Sequence, residues 1–406
     1  MTTATLTIRQ PDDWHVHLRD GEMLHRVLPF TSKVFRRALV MPNLTPPVLE
    51  AKDARAYMRR IQDVQAQGAG LRSLWEFSPY MTIKLTGMTT PKIVEEAKAA
   101  GVIAAKLYPA GVTTNSSDGV NDFEAKSLYE VFEAMAQCGM VLCVHAETPG
   151  QPSLRREQHF IDTYVEKWAS AVPRLKIVIE HATTKHAVEF ARRTPNVGCS
   201  ITVHHMLITL DDVIGDKLDP HCFCKPVAKS EEDRQALIEA ATGGVPDIFF
   251  GSDSAPHTQG NKREKGAAGC FTAPVAMPLL AQIFDEHGAL ANLETFVSEN
   301  GANFYGLPLN ESRIRLTKNV PWKVEDFYAS DRLDEGEFLT PFWAGKHIDW
   351  YVDDVVPETT TVYRVEDLAK IARPAQSQTV RVEATGSTFI YTGKGEINGW
   401  SEVVPL

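Results

Sequence analysis

The chain reads as an α/β protein: a (β/α)8 TIM-type barrel followed by a short β-rich C-terminal extension. Three observations point there. Short apolar runs recur eight times, and most are followed by a turn and a stretch of helical periodicity. The runs are apolar at successive positions, the pattern of parallel strands covered on both faces. Several also end on a side chain able to do chemistry, and the C-terminal strand ends of a barrel form its active-site face. A doubly wound open sheet is the alternative arrangement of the same elements.

In chain order the runs are DDWHVH (12–17), RALVMPN (37–43), LRSLWEF (71–77), VIAAKLY (102–108), MVLCVHAE (140–147), KIVIEHA (176–182), VGCSITV (197–203) and DIFFGSD (247–253). Helical periodicity marks 51–67, 91–100, 122–137 and, after the eighth run, 271–287. The barrel is expected over 1–345. In the extension, 346–406, TVRVEA and TFIYTG alternate like strands with a turn signal between them. This extension is expected to be packed on the barrel.

Composition narrows the function. The formal charge is −10 with Lys and Arg scattered, which argues against a nucleic-acid or anionic-membrane partner. An anionic substrate would therefore need local cations. No apolar stretch is long enough to span a bilayer. The N-terminal residues lack a secretory layout. The six cysteines read as reduced core residues of a cytoplasmic protein. Neither a GxGxxG nor a GxxxxGK[ST] string appears, so an open-sheet cofactor binder has no support.

The chemistry begins at His15 and His17. Successive strand side chains face opposite ways, so these two imidazoles share a face and can converge on a metal ion. Further along, Lys106, His145, His181 and Asp253 end their own runs, as does Asn43. Taken singly, His145 or His181 reads as a structural histidine and Lys106 as a lysine reaching solvent. Their joint occurrence at strand ends favours a metal site. A protonated lysine repels a cation, but burial favours the neutral amine. A neutral amine adds carbon dioxide to become a carbamate, whose two oxygens reach two metals about 3.5–4 Å apart.

The strings HVHLRD, MPNLTPPV, KLYPAGVTTNSSDGV, EHATTKHA and GSDSAPH resemble those of the class II (monofunctional) dihydroorotases of the amidohydrolase superfamily, over about residues 10 to 345. That resemblance implies two zinc ions, one on His15, His17 and Asp253 and the other on His145 and His181. Carboxylated Lys106 and a hydroxide would bridge them. It implies that Arg19, Asn43 and His257 clamp a substrate carboxylate, that backbone near Ala268 faces a pyrimidine ring, and that Thr113 and Thr114 lie in a closing loop. Asp253 would be the general base, and the reaction would interconvert N-carbamoyl-L-aspartate and L-dihydroorotate. The partners implied are this small molecule and a second copy, as a homodimer.

The residues support these roles independently. Arg19 lies two positions beyond His17, placed to fork onto a carboxylate. GVTTNSSDG (111–119) is small and polar with glycine at both ends, which suits a lid. By the resemblance, Lys225 stands where the bacterial class II enzymes carry an apolar residue; it is harmless if the loop meets the substrate through its backbone and adds a cation near the substrate if it points inward. His204, His205 and His221 read as structural or as supports just behind the site. The nearest rival is another cyclic-amide hydrolase, of hydantoinase or allantoinase type, which has less use for a carboxylate clamp. A scaffold that had lost catalysis would lack ligands, and none of the six is missing.

Overall fold

The structure, a computed structural model, describes residues 4–67, 77–113, 115–329, 337–356, 359–362, 379–382, 388–395 and 399–403. After β1 (Ala4–Arg9) come eight short strands: β2 (Asp12–Val16), β3 (Arg37–Val40), β4 (Ser78–Leu85), β5 (Ala104–Leu107), β6 (Val141–Val144), β7 (Ile177–Ile179), β8 (Val197–Ile201) and β9 (Ile248–Phe250). They pair in parallel in chain order, β2 to β9. The barrel closes where Asp253 N–H donates to the His15 carbonyl at 2.8 Å and His17 N–H to that of Ser254 at 3.1 Å.

Seven strands lie in the expected runs. The third does not: the run at 71–77 lies almost wholly outside the described residues, and the strand is Ser78–Leu85. Pro79, Thr82 and Lys84 disguise it. Thr82 and Lys84 point into the barrel and are fully buried, so polarity there reflects the interior of the wall. The helices Ala51–Gln67, Pro91–Ala99 and Ala276–Glu286 match the periodicity. The helix expected from 122 begins at Lys126, because the Asp122 carboxylate accepts from Glu124 N–H at 3.0 Å and forms a local turn instead.

Inward side chains build a floor. Trp14, Leu39, Met41, Ala104, Cys143, Val178 and Phe249 pack together with Ala302 and Phe304 of the helix Asn300–Tyr305. Trp14 stacks on Tyr305 with centroids 4.5 Å apart. Positions above this floor on the same strands face the open end, which is where the polar strand ends converge.

Sequence pattern missed a second sheet. β1 pairs antiparallel with β10 (Arg313–Lys323), which pairs with β13 (His347–Val356); between them β11 (Tyr328–Ala329) and β12 (Phe338–Leu339) make a small ladder. Ile8, Ile314, Leu316, Ile348 and Trp350 are apolar residues it buries. Beyond it β14 (Thr359–Val362), β15 (Thr379–Val382), β16 (Thr388–Gly395) and β17 (Gly399–Val403) form a four-stranded sheet, parallel at its first pair and antiparallel afterwards. The strands expected at TVRVEA and TFIYTG are its middle pair. Among the described residues no helix is long and apolar enough to cross a membrane.

Candidate metal centre and substrate cleft

β2 brings the first two ligand candidates to the centre by an irregularity. Its register against β3 slips by one residue between Asp13 and Val16. Such a bulge re-aims side chains. Trp14 thus reaches the floor while His15 and His17 both face the interior. Across the seam, Gly251 leaves room: a Cβ there would lie 2.9 Å from His15 Cβ.

Two further candidates use left-handed backbone. His181 (φ 43) and Asp253 (φ 42) follow β7 and β9, and Arg19 (φ 60) follows His17. Non-glycine residues adopt this region at a cost, and tertiary packing must hold them there. For His181 the gain is direction, because strict alternation from the inward Glu180 would point it away from the barrel axis.

The imidazoles and the carboxylate come together. His15, His17 and Asp253 offer ligand atoms all within 4.8 Å of one another. Ring centroids are 5.0 Å apart for His15 and His181 and 4.8 Å for His145 and His181. Lys106 is fully buried in the same interior, 5.2 Å from the Tyr108 ring centroid, and its Nζ has no hydrogen-bond partner. Burial pushes its ammonium pKa down, towards the neutral amine.

Neighbouring acceptors choose the histidine tautomers. His15 Nδ1–H donates to Glu180 at 2.7 Å, and Ser200 holds the same carboxylate oxygen at 2.6 Å. His17 Nδ1–H donates to the Asn43 side-chain carbonyl at 2.8 Å. His145 Nε2–H donates to Glu147 at 2.7 Å. In each case the other ring nitrogen keeps its lone pair, as a metal ligand requires. Burial lowers the His17 pKa to about 4, so this imidazole is neutral near pH 7. Neutral imidazoles, a carboxylate, a buried amine without a partner and a buried Glu180 oxygen also without one make a donor set that fits divalent cations.

A narrow cleft opens above. It is lined by His15, His17, Arg19, Asn43, Tyr108, Thr113, His145, His181, Lys225, Asp253, Ala255, Ala268 and Gly269. Arg19 is braced by its Nε bond to the Pro256 carbonyl at 3.0 Å. Burial lowers its pKa to about 10, leaving it cationic near neutrality. His257 Nε2 lies 3.1 Å from both Arg19 Nη2 and the Ala268 carbonyl, joining three of the expected substrate contacts at one rim. Lys225 does line the cleft. Thr114 lies outside the described residues.

Sequence reasoning missed Tyr108, Glu147 and Glu180. The two acids stood beside the expected ligands in the strings HAE and IEHA, and the need of a ligating imidazole for an acceptor on its second nitrogen was the signal available. A further group, His204, His205 and Cys224, lies buried with ligand atoms within 4.8 Å of one another. His205 bonds to Thr202 and to the Pro226 carbonyl at 2.9 and 3.1 Å.

The profile of the Amidohydrolase family matches residues 7–315, and the chain belongs to that family. It is 44% identical over 349 residues to a dihydroorotase of Marinomonas sp., covering 85% of this chain and 98% of the relative. The crystal structure of a dihydroorotase from Campylobacter jejuni superposes with a TM-score of 0.78 at 38% identity, over 87% of this chain and 98% of that one. Within the family the chain falls among the dihydroorotases. An L-hydantoinase from Arthrobacter aurescens shares the fold at 18% identity, with a TM-score of 0.70 over 87% of this chain and 86% of that one.

Proposed function

We propose that this dihydroorotase interconverts N-carbamoyl-L-aspartate and L-dihydroorotate plus water at two zinc ions held by His15, His17, Lys106, His145, His181 and Asp253. The observation that carries the reading is the meeting of neutral imidazoles and Asp253 with a buried, partnerless Lys106 beneath a cationic rim. Bound zinc would polarise the ring amide carbonyl and make water acidic near neutral pH.

The chain's own residues do the rest. His15, His17 and Asp253 would hold one ion, and His145 and His181 the other. Lys106 would serve both ions as a carbamate, formed when its neutral amine makes an N–C bond to carbon dioxide and loses a proton. Asp253 takes a proton from the attacking water and passes it to the leaving ring nitrogen. Asn43, whose carbonyl is engaged by His17, turns its amide donors to the substrate carboxylate beside Arg19 and His257. The backbone at Ala268 faces the ring, and Thr113 covers it. The resemblance to class II enzymes supports a homodimer, which sedimentation of the purified protein tests, and the six free cysteines support a cytoplasmic protein.

The decisive experiment follows ring opening of L-dihydroorotate by ultraviolet absorbance. Chelation is expected to abolish turnover and zinc to restore it. Unchanged turnover by metal-free protein would overturn the metal centre, and no turnover by folded, zinc-loaded protein would overturn the substrate.

Arg19→Met should raise KM for dihydroorotate about 10- to 100-fold, the size of a lost charge-assisted hydrogen bond, with metal content intact. An unchanged KM would remove Arg19 from the clamp. The clamp also separates this reading from the hydantoinase one, since a hydantoin with no carboxylate leaves Arg19 unpaired.

A further inference from the structure

Lys84 and Lys106 are register partners on β4 and β5, and both side chains are fully buried in the barrel. Their surroundings differ. Lys106 Nζ has no partner, whereas Lys84 Nζ donates to the Asn115 carbonyl at 2.7 Å and pairs with the Asp118 carboxylate. Both partners belong to the segment that carries Thr113 to the cleft.

That segment is a small folded unit. Ser116, itself buried, donates to the Thr113 carbonyl at 2.7 Å and accepts from Thr113 N–H at 3.0 Å. Its carbonyl accepts from Gly111 and Gly119 N–H at 3.0 and 2.9 Å. Asn115, in left-handed backbone at φ 54, sends its side-chain amide to the Asn43 carbonyl at 3.0 Å. Asn43 in turn holds His17 at 2.8 Å. A continuous series of hydrogen bonds therefore runs from Lys84 through the segment to a metal-ligand candidate. A buried ammonium stripped of its carboxylate is strongly unfavourable, so lifting Asp118 away would be resisted.

We propose that Lys84 is a positioning residue that fastens the 111–119 turn over the cleft and, through Asn115 and Asn43, sets Thr113 and His17 in register for the substrate. This rests on the reading of the cleft given above. Its test uses Lys84→Met and Asp118→Asn in the zinc-loaded full chain, with kinetics, metal analysis and local amide hydrogen exchange.

Lys84→Met should raise KM for L-dihydroorotate about tenfold, lower kcat less, and leave metal content unchanged. Exchange should quicken in 111–119 and around Asn43 while the rest of the barrel stays protected. Asp118→Asn, which leaves the buried ammonium only the Asn115 carbonyl, should act in the same direction. The double variant should be no worse than Lys84→Met, because the two groups act as one unit.

KM values within about twofold of the parent and unaltered local exchange would overturn the proposal. So would a uniform rise in exchange with metal loss, which marks a purely structural lysine. If Lys84→Met fails to fold, Asp118→Asn decides alone, since its side chain is 47% exposed. Parental protein that turns nothing over would count against the functional reading, while the exchange measurements still judge the tether.

Discussion

Lys106→Ala is expected to lose most of its bound metal and to fall about a thousandfold or more in kcat. The side chain has no exposure to solvent and its amine has no partner, so its place in the fold is not explained by hydrogen bonding. Its neighbours Ala104 and Cys143 belong to the barrel floor, which alanine leaves untouched. Formate or acetate should restore part of both metal and activity by supplying the missing pair of oxygens in the space vacated. Lys106→Met fills that space with an apolar chain, so it should lose activity equally and resist rescue. Metal analysis at full occupancy in the alanine variant would sink the bridging role.

Asp253→Asn should lower kcat about 10³- to 10⁴-fold, because on the proposed reading one change removes a ligand charge and the proton carrier. The amide is isosteric. Asp253 N–H bonds to the His15 carbonyl at 2.8 Å, so the backbone that closes the barrel should stay in place. Melting temperature is therefore expected to hold within a few degrees, at about the level of a surface substitution. Burial works against ionisation of Asp253, but its polar surroundings, His17 foremost, hold its pKa below the usual range. The parent should keep this base ionised down to acidic pH, and the variant should have none at any pH. A variant retaining a tenth of parental kcat would show that another group carries the proton.

Much of this was legible in the residues alone. His15-Val-His17 declares a shared face, Lys106 ends an apolar run where a charge is costly, and the remaining ligand types recur at later strand ends. Periodicity located seven of the eight barrel strands because most carry apolar residues at successive positions. It failed for Ser78–Leu85, where Thr82 and Lys84 point into the barrel and break the apolar pattern. It also failed for β1 with β10, since an antiparallel pair formed between residues 4–9 and 313–318 leaves no local trace.

The sequence by itself determined which chemical groups are present and in what order, because strand alternation and burial act over a few neighbouring residues. Only the tertiary structure decided where those groups point. The bulge in β2 turns both Trp14 and His15 inward, the left-handed residues His181 and Asp253 swing their side chains to the axis, and Glu147 and Glu180 select the imidazole tautomers. It likewise gave two adjacent buried lysines different surroundings. One met Asp118 from a distant loop and the other met no partner, a difference set by contacts between segments far apart in the chain.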